Sequence, residues 1–288
     1  MRDLRAFTIL IGFFLLTFPL MPLQLALRHV HADWARRFPH WYHRQVCRLV
    51  GVRIHQHGQI AEDRPVLLVA NHISWLDIPV LSAVGPVSFV AKSEVGTWPF
   101  ISWLAKLQGS VFVDRLQRLN SHASTNEIMD RLRQGDHIVI FAEGTSSDGN
   151  RVLPFKTSLF GAAKPRGDDA DTHENSIYVQ TLAIAYTHQQ GLPLGRRGRP
   201  IVAWYGDMEI AGHAWGLLKR GPLDVSVCIG EPVNLREFAD RKELAAFAER
   251  EIRRDVADIL HPRNAPHSED TTDSGYPPDT MDAAPVPR

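Results

Sequence analysis

Residues 7–27 constrain this chain most: thirteen of them are Leu, Ile or Phe, and none is charged. Each such residue favours lipid by about 0.3–0.6 kcal/mol, and the run just reaches the ~20 residues that cross a bilayer as a helix. Pro19 and Pro22 predict a kink, so shallow or re-entrant insertion competes with a crossing. A cleaved signal peptide fits less well. Val30 and Ala32 resemble a cleavage site, but Arg28 and His29 intervene and no small-residue run follows. Residues 1–32 are therefore expected to be a retained membrane anchor.

The charge distribution agrees. Lys+Arg and Asp+Glu both total 32, which argues against nucleic acid as a partner. Residues 1–60 nonetheless hold eight Arg against two Asp, and residues 262–288 two Arg against five acids. A basic head beside an apolar run suits an anionic membrane surface. Residues 34–50 mix Trp34, Phe38, Trp41 and Val46 with four Arg, the pattern of an interfacial helix or of one docked on its own core. From Pro262 on, Pro, Asp, Ser and Thr predominate, so residues 262–288 are expected to be a disordered acidic tail. Cys47 and Cys228 are too far apart in sequence to suggest a metal site, and two cysteines do not make a disulfide scaffold. Two His-x-His pairs, at 29–31 and 55–57, lack a third ligand cluster, and no metal is expected.

After Gly51 short apolar runs alternate with helical patterns, predicting an α/β layered domain over 33–261. Strands are expected at 52–54, 66–70, 88–91, 111–113, 137–141, 177–185, 202–205 and 225–229, and helices at 78–84, 119–133, 155–163 and 235–260. Polar residues 167–176 suggest a surface insertion.

Chemistry gathers where predicted strands end. The run 66–70 leads into Asn71-His72-Ile73-Ser74-Trp75-Leu76-Asp77. A carboxylate that accepts one imidazole N–H fixes the tautomer and leaves the other nitrogen as a base. A surface His beside a helix start is the bland alternative. Phe141-Ala142-Glu143-Gly144-Thr145 follows the run 137–141, Arg115 follows 111–113, and Lys92 and Lys156 follow other apolar runs.

Three blocks in order, N-H-x4-D (Asn71, His72, Asp77), G-x-V-F-V-D-R (Gly109 to Arg115) and F-x-E-G-T (Phe141 to Thr145), resemble the lysophosphatidic acid acyltransferase family of glycerolipid acyltransferases. The resemblance spans about residues 34–235. It implies a single glycerolipid-acyltransferase-like domain, with a central mixed sheet flanked by helices, behind an N-terminal membrane helix, and a site facing the cytoplasm at the inner membrane. A fatty acyl chain would pass from acyl carrier protein or coenzyme A, with no bound cofactor, to a hydroxyl of a lysolipid. His72 would be the general base and Asp77 its orienting acid. Asn71, Lys92, Arg115, Glu143, Gly144, Thr145 and Lys156 would bind substrate.

Two departures bear on the acceptor: Ala142 and Ser146 stand where the family usually has Pro and Arg. The loss of Arg removes a phosphate contact. The strings Glu143 to Gly149, Val152 to Lys156 and Ala203 to Met208 are similar to a bacterial branch that includes lyso-ornithine lipid acyltransferases, whose acceptor hydroxyl sits on an amide-linked fatty acid. Lysophosphatidic acid, the family's commonest acceptor, comes first by resemblance, with lyso-ornithine lipid as the alternative. A lipase or thioesterase, or a non-catalytic lipid-binding module, fits less well, since no G-x-S-x-G elbow occurs.

Overall fold

The computed structural model describes residues 1–113, 122–163 and 177–261. Two helices, α1 (Arg2–Val30) and α2 (Ala32–Val50), meet at His31, whose extended backbone reverses the chain. They lie antiparallel. Gln24 Nε2 donates to the Ala35 carbonyl at 2.9 Å, and Thr17 Oγ1 lies 2.7 Å from Tyr42 Oη. Gly12 faces Leu49 so closely that a Cβ there would come within 3.0 Å of its Cδ1. The helix runs on through Pro19 and Pro22, where the sequence predicts a kink.

Beyond Gly51 the strands are β1 (Val52–His57), β2 (Val66–Ala70), β3 (Val87–Lys92), β4 (Val111–Val113), β5 (His137–Phe141), β6 (Tyr178–Gln189), β7 (Leu192–Pro193), β8 (Leu223–Ile229) and β9 (Val233–Asn234). The order β1-β8-β6-β2-β5-β3-β4 makes one mixed sheet, with β7 and β9 pairing with β6. From β6 to β4 all neighbours are parallel, whereas β8 runs against β6 and parallel to β1. β2 and β5 are buried throughout, as parallel strands covered on both faces must be, which is why they read as unbroken apolar runs.

The remaining α-helices are α3 (Asp77–Val84), α4 (Ile101–Leu107), α5 (His122–Arg133), α6 (Ile210–Leu218) and α7 (Arg241–Leu260). Alternation along the strands divides the core. Val66, Leu68 and Ala70 join Val139, Phe141 and Ile184 on the face shared with Val80 and Leu81 of α3 and Cys47 of α2. Leu67, Val69, Ile138 and Ile140 face Ile128 and Leu132 of α5 and Leu244, Ala248 and Ile252 of α7.

Several expectations are corrected. Residues 202–205 form no strand: the N–H groups of Val202 and Ala203 return to the Arg199 carbonyl, and that of Trp204 reaches the Ile73 carbonyl at 2.9 Å. Val202 and Ala203 are apolar because this loop is buried. The predicted helix at 155–163 is only a 3-10 segment, Thr157–Ala163. The predicted helix at 235–260 breaks into a 3-10 turn, Leu235–Glu237, and α7, which Asp240 caps through the N–H groups of Lys242 and Glu243. The short helices α4 and α6 were not foreseen. Arg115, the insertion at 167–176 and the tail at 262–288 lie outside the described residues.

Candidate active site

The site lies at the carboxyl ends of the parallel strands. β2 ends at Ala70, and the next residue continues its pairing with β6 by side chain: Asn71 Nδ2 donates to the Ile184 carbonyl at 3.0 Å, and Asn71 Oδ1 accepts the Ile184 N–H at 2.8 Å. The chain then turns from strand to helix within six residues, and the Asp77 N–H bonds to the Ser74 carbonyl at the start of α3. This tight turn brings His72 Nδ1 to 2.8 Å from Asp77 Oδ2.

Asp77 is fully buried, yet well supplied with donors. Its Oδ2 also accepts the N–H groups of Ile73 at 2.7 Å and Ser74 at 3.0 Å, and its Oδ1 accepts the Tyr186 hydroxyl at 2.7 Å. Four hydrogen bonds compensate a buried carboxylate for lost hydration. With Asp77 ionised, Nδ1 is the protonated nitrogen of neutral His72, and Nε2 keeps its lone pair. The ring stacks on Phe141 with centroids 4.0 Å apart, and Phe141 in turn stacks on Phe89. Its side chain remains 18% exposed, so the pair is fixed from beneath and open above.

The loop after β5 braces this arrangement. Glu143 is 1% exposed; its Oε1 accepts the His72 N–H at 2.9 Å and its Oε2 the Leu153 N–H at 3.0 Å. Burial pushes its carboxyl up to about 7, against the pull of those two donors. Gly144 has φ +70, and a Cβ would meet Lys156 Cδ at 2.9 Å, so glycine allows both the turn and the lysine lying across it. The Ser147 N–H reaches the His72 carbonyl at 2.8 Å, and Ser146 Oγ donates to the Trp204 carbonyl. Three loops far apart in sequence are thus tied around His72.

A family model described as Acyltransferase matches residues 51–185, from β1 to the middle of β6. A lyso-ornithine lipid O-acyltransferase of Brucella abortus is 46% identical over 265 residues, covering 92% of this chain and 98% of the relative. The chain belongs to the acyltransferase family. A 1-acyl-sn-glycerol-3-phosphate acyltransferase of Neisseria gonorrhoeae is 32% identical over 203 residues, 70% of this chain and 74% of the relative. The crystal structure of a 1-acyl-sn-glycerophosphate acyltransferase from Thermotoga maritima shares the fold, with a TM-score of 0.61 at 21% identity, covering 90% of this chain and 98% of that one.

In this acyltransferase the residues singled out for substrate binding, Gly144 and the undescribed Arg115 apart, fall into two groups. Asn71 and Glu143 are buried, and their polar side-chain atoms are turned to backbone groups of the fold. Thr145 and Lys156 after β5 and Lys92 at the end of β3 are exposed at the same end of the sheet. Sequence reasoning missed Tyr186, 109 residues from its partner Asp77; the strand predicted at 177–185 stops one residue short of it.

Proposed function

We propose that this enzyme transfers a fatty acyl chain from an acyl carrier protein or coenzyme A thioester to the free hydroxyl of lyso-ornithine lipid. The observation that carries the acceptor is position 146. No cation follows Glu143-Gly144-Thr145, and the serine found there is bonded inward to Trp204. A phosphate dianion loses its bidentate partner, whereas an acceptor hydroxyl on an amide-linked fatty acid needs none. The similarity over nearly the whole chain to the Brucella enzyme supports the same reading. The order taken from the resemblance is thereby reversed, and lysophosphatidic acid becomes the second reading, supported by the Neisseria relative.

His72 Nε2 takes the proton of the acceptor hydroxyl as its oxygen attacks the thioester carbonyl, and Asp77 steadies the imidazolium. The C–S bond then breaks, the thiolate takes the proton from His72, and the ester remains. The acceptor is itself the nucleophile, so no enzyme serine is required. Lys92, Arg115, Thr145 and Lys156 are assigned to the polar heads of the substrates, while Asn71 and Glu143 hold the loop that carries His72. To test the acceptor, full-length enzyme with a labelled acyl thioester is offered both lysolipids at equal concentration in vesicles. Label is expected in ornithine lipid at least about tenfold over phosphatidic acid; preference for lysophosphatidic acid would reject the assignment.

The membrane contact we assign is an in-plane one at the cytoplasmic face of the inner membrane. By length and composition α1 could cross a bilayer, but it is tied to the domain near both ends: Arg5 donates to the Leu218 carbonyl at the end of α6, and Gln24 to the Leu107 carbonyl of α4 at 3.0 Å. Ala6, Ile9, Thr17 and Gln24 face inward, while Leu4, Phe7, Ile11, Leu15 and Phe18 stand exposed at helical spacing. Trp34 and Trp41 of α2 and Trp103 of α4 are exposed as well, as suits an aromatic fringe at a lipid interface. Phe7→Glu with Leu15→Glu should leave the fold intact and lower binding to anionic vesicles by about 100-fold or more. Undiminished co-flotation with vesicles would place the contact elsewhere.

A further inference from the structure

We propose that Tyr186 is a positioning residue for acyl transfer: its hydroxyl, donating to Asp77 Oδ1, keeps that carboxylate turned so that Oδ2 faces the His72 imidazole. This role rests on His72 and Asp77 being the general-base pair. Among the described residues Tyr186 is the one donor to Oδ1, at 2.7 Å, whereas Oδ2 has three. Without it a buried carboxylate oxygen would have no partner, and the carboxylate plane would lose the contact opposing the pull of the Ile73 and Ser74 N–H groups.

Two features fit this task better than simple core filling. Tyr186 is 2% exposed, within the apolar core and paired across the sheet with Val225, where a phenylalanine would pack without a hydroxyl to satisfy. The β6–β8 register also shifts between Tyr186 and His188, an irregularity of the kind that re-aims a side chain beside a site. Burial and the neighbouring Asp77 hold the phenol well above its ordinary range, so it remains a neutral donor across the working pH.

Other titratable groups face this pair: Glu143 from the loop after β5, and Cys47 of α2, which acts electrostatically on Tyr186. Arg253 of α7 acts on Glu143 at longer range, and Lys156 lies over Gly144. None of them is altered by Tyr186→Phe, so a change in the pH profile of that variant reports on the Tyr186–Asp77 bond. Removing a donor from the ionised form raises the proton affinity of the pair. The active form, neutral His72 beside ionised Asp77, is then reached only at higher pH.

The test measures kcat/KM against pH for full-length enzyme and for Tyr186→Phe. The acid limb is expected to move up by about one pH unit, with the plateau kcat down about tenfold and the acceptor KM unchanged. The limb position does not depend on the fraction of enzyme folded. In an Asp77→Asn background, Tyr186→Phe should add less than about twofold, because both changes act through one contact. An unshifted limb, or losses that multiply, overturns the proposal. His72→Ala alongside separates the two failures. Retained transfer in that variant sinks the general-base pair, whereas lost transfer there with an unshifted Tyr186→Phe limb sinks only the role of Tyr186.

Discussion

His72→Ala is expected to lower acyl transfer by about 10²–10⁴-fold, the range a positioned general base supplies, with the circular dichroism spectrum and vesicle binding unchanged. An alcohol with a pKa near ~16 is almost wholly protonated at neutral pH, so attack on a thioester depends on proton removal in the transition state. The substitution keeps the main-chain bonds that anchor the loop, from the His72 N–H to Glu143 and from the Ser147 N–H to the His72 carbonyl. What is lost is the ring, with its stacking on Phe141, worth about 1 kcal/mol. A folded variant that retains more than a tenth of the initial rate with labelled thioester and lysolipid would rule out His72 as the base.

Asp77→Asn separates charge from shape. Asparagine can keep an oxygen toward His72 Nδ1 and the Ile73 and Ser74 N–H groups, while the Tyr186 hydroxyl rotates to accept from the new amide. The fold is therefore expected to survive, but the imidazolium formed during attack no longer has an anion 2.8 Å away. A loss of up to about 10⁴-fold in kcat is expected, comparable to that of a serine protease deprived of its orienting carboxylate. Asp77→Ala goes further: it strands two backbone donors and a tyrosine hydroxyl in a buried site, each costing about 1–3 kcal/mol, and should lower the unfolding midpoint as well. Unchanged kcat in Asp77→Asn would mean that the carboxylate serves folding alone.

How far each feature was legible in the sequence followed from how local its cause was. β2 and β5 could be read because strands covered on both faces must be apolar at every position. Residues 202–205 misled because Val202 and Ala203 are equally buried in a loop, and burial alone does not distinguish strand from coil. α6 escaped notice because its nine residues include two glycines and follow a turn-rich stretch. His72 and Asp77 stood five residues apart, within reach of one strand-to-helix turn. The bracing of that turn was not legible, since Glu143 approaches it from 71 residues away and Tyr186 reaches Asp77 from 109.

By itself the sequence determined the α/β class, the apolar helix at the amino terminus, and the pairing of a histidine with an acid at a strand end. Each depends on periodicity or spacing along the chain. Only the tertiary structure decided that Asn71 and Glu143 serve backbone groups of the fold, that a tyrosine completes the donor set around Asp77, and that α1 lies against α2, α4 and α6 with one apolar face outward. Those outcomes depend on which buried polar groups find partners, and in this fold the partners come from strands and loops distant in sequence.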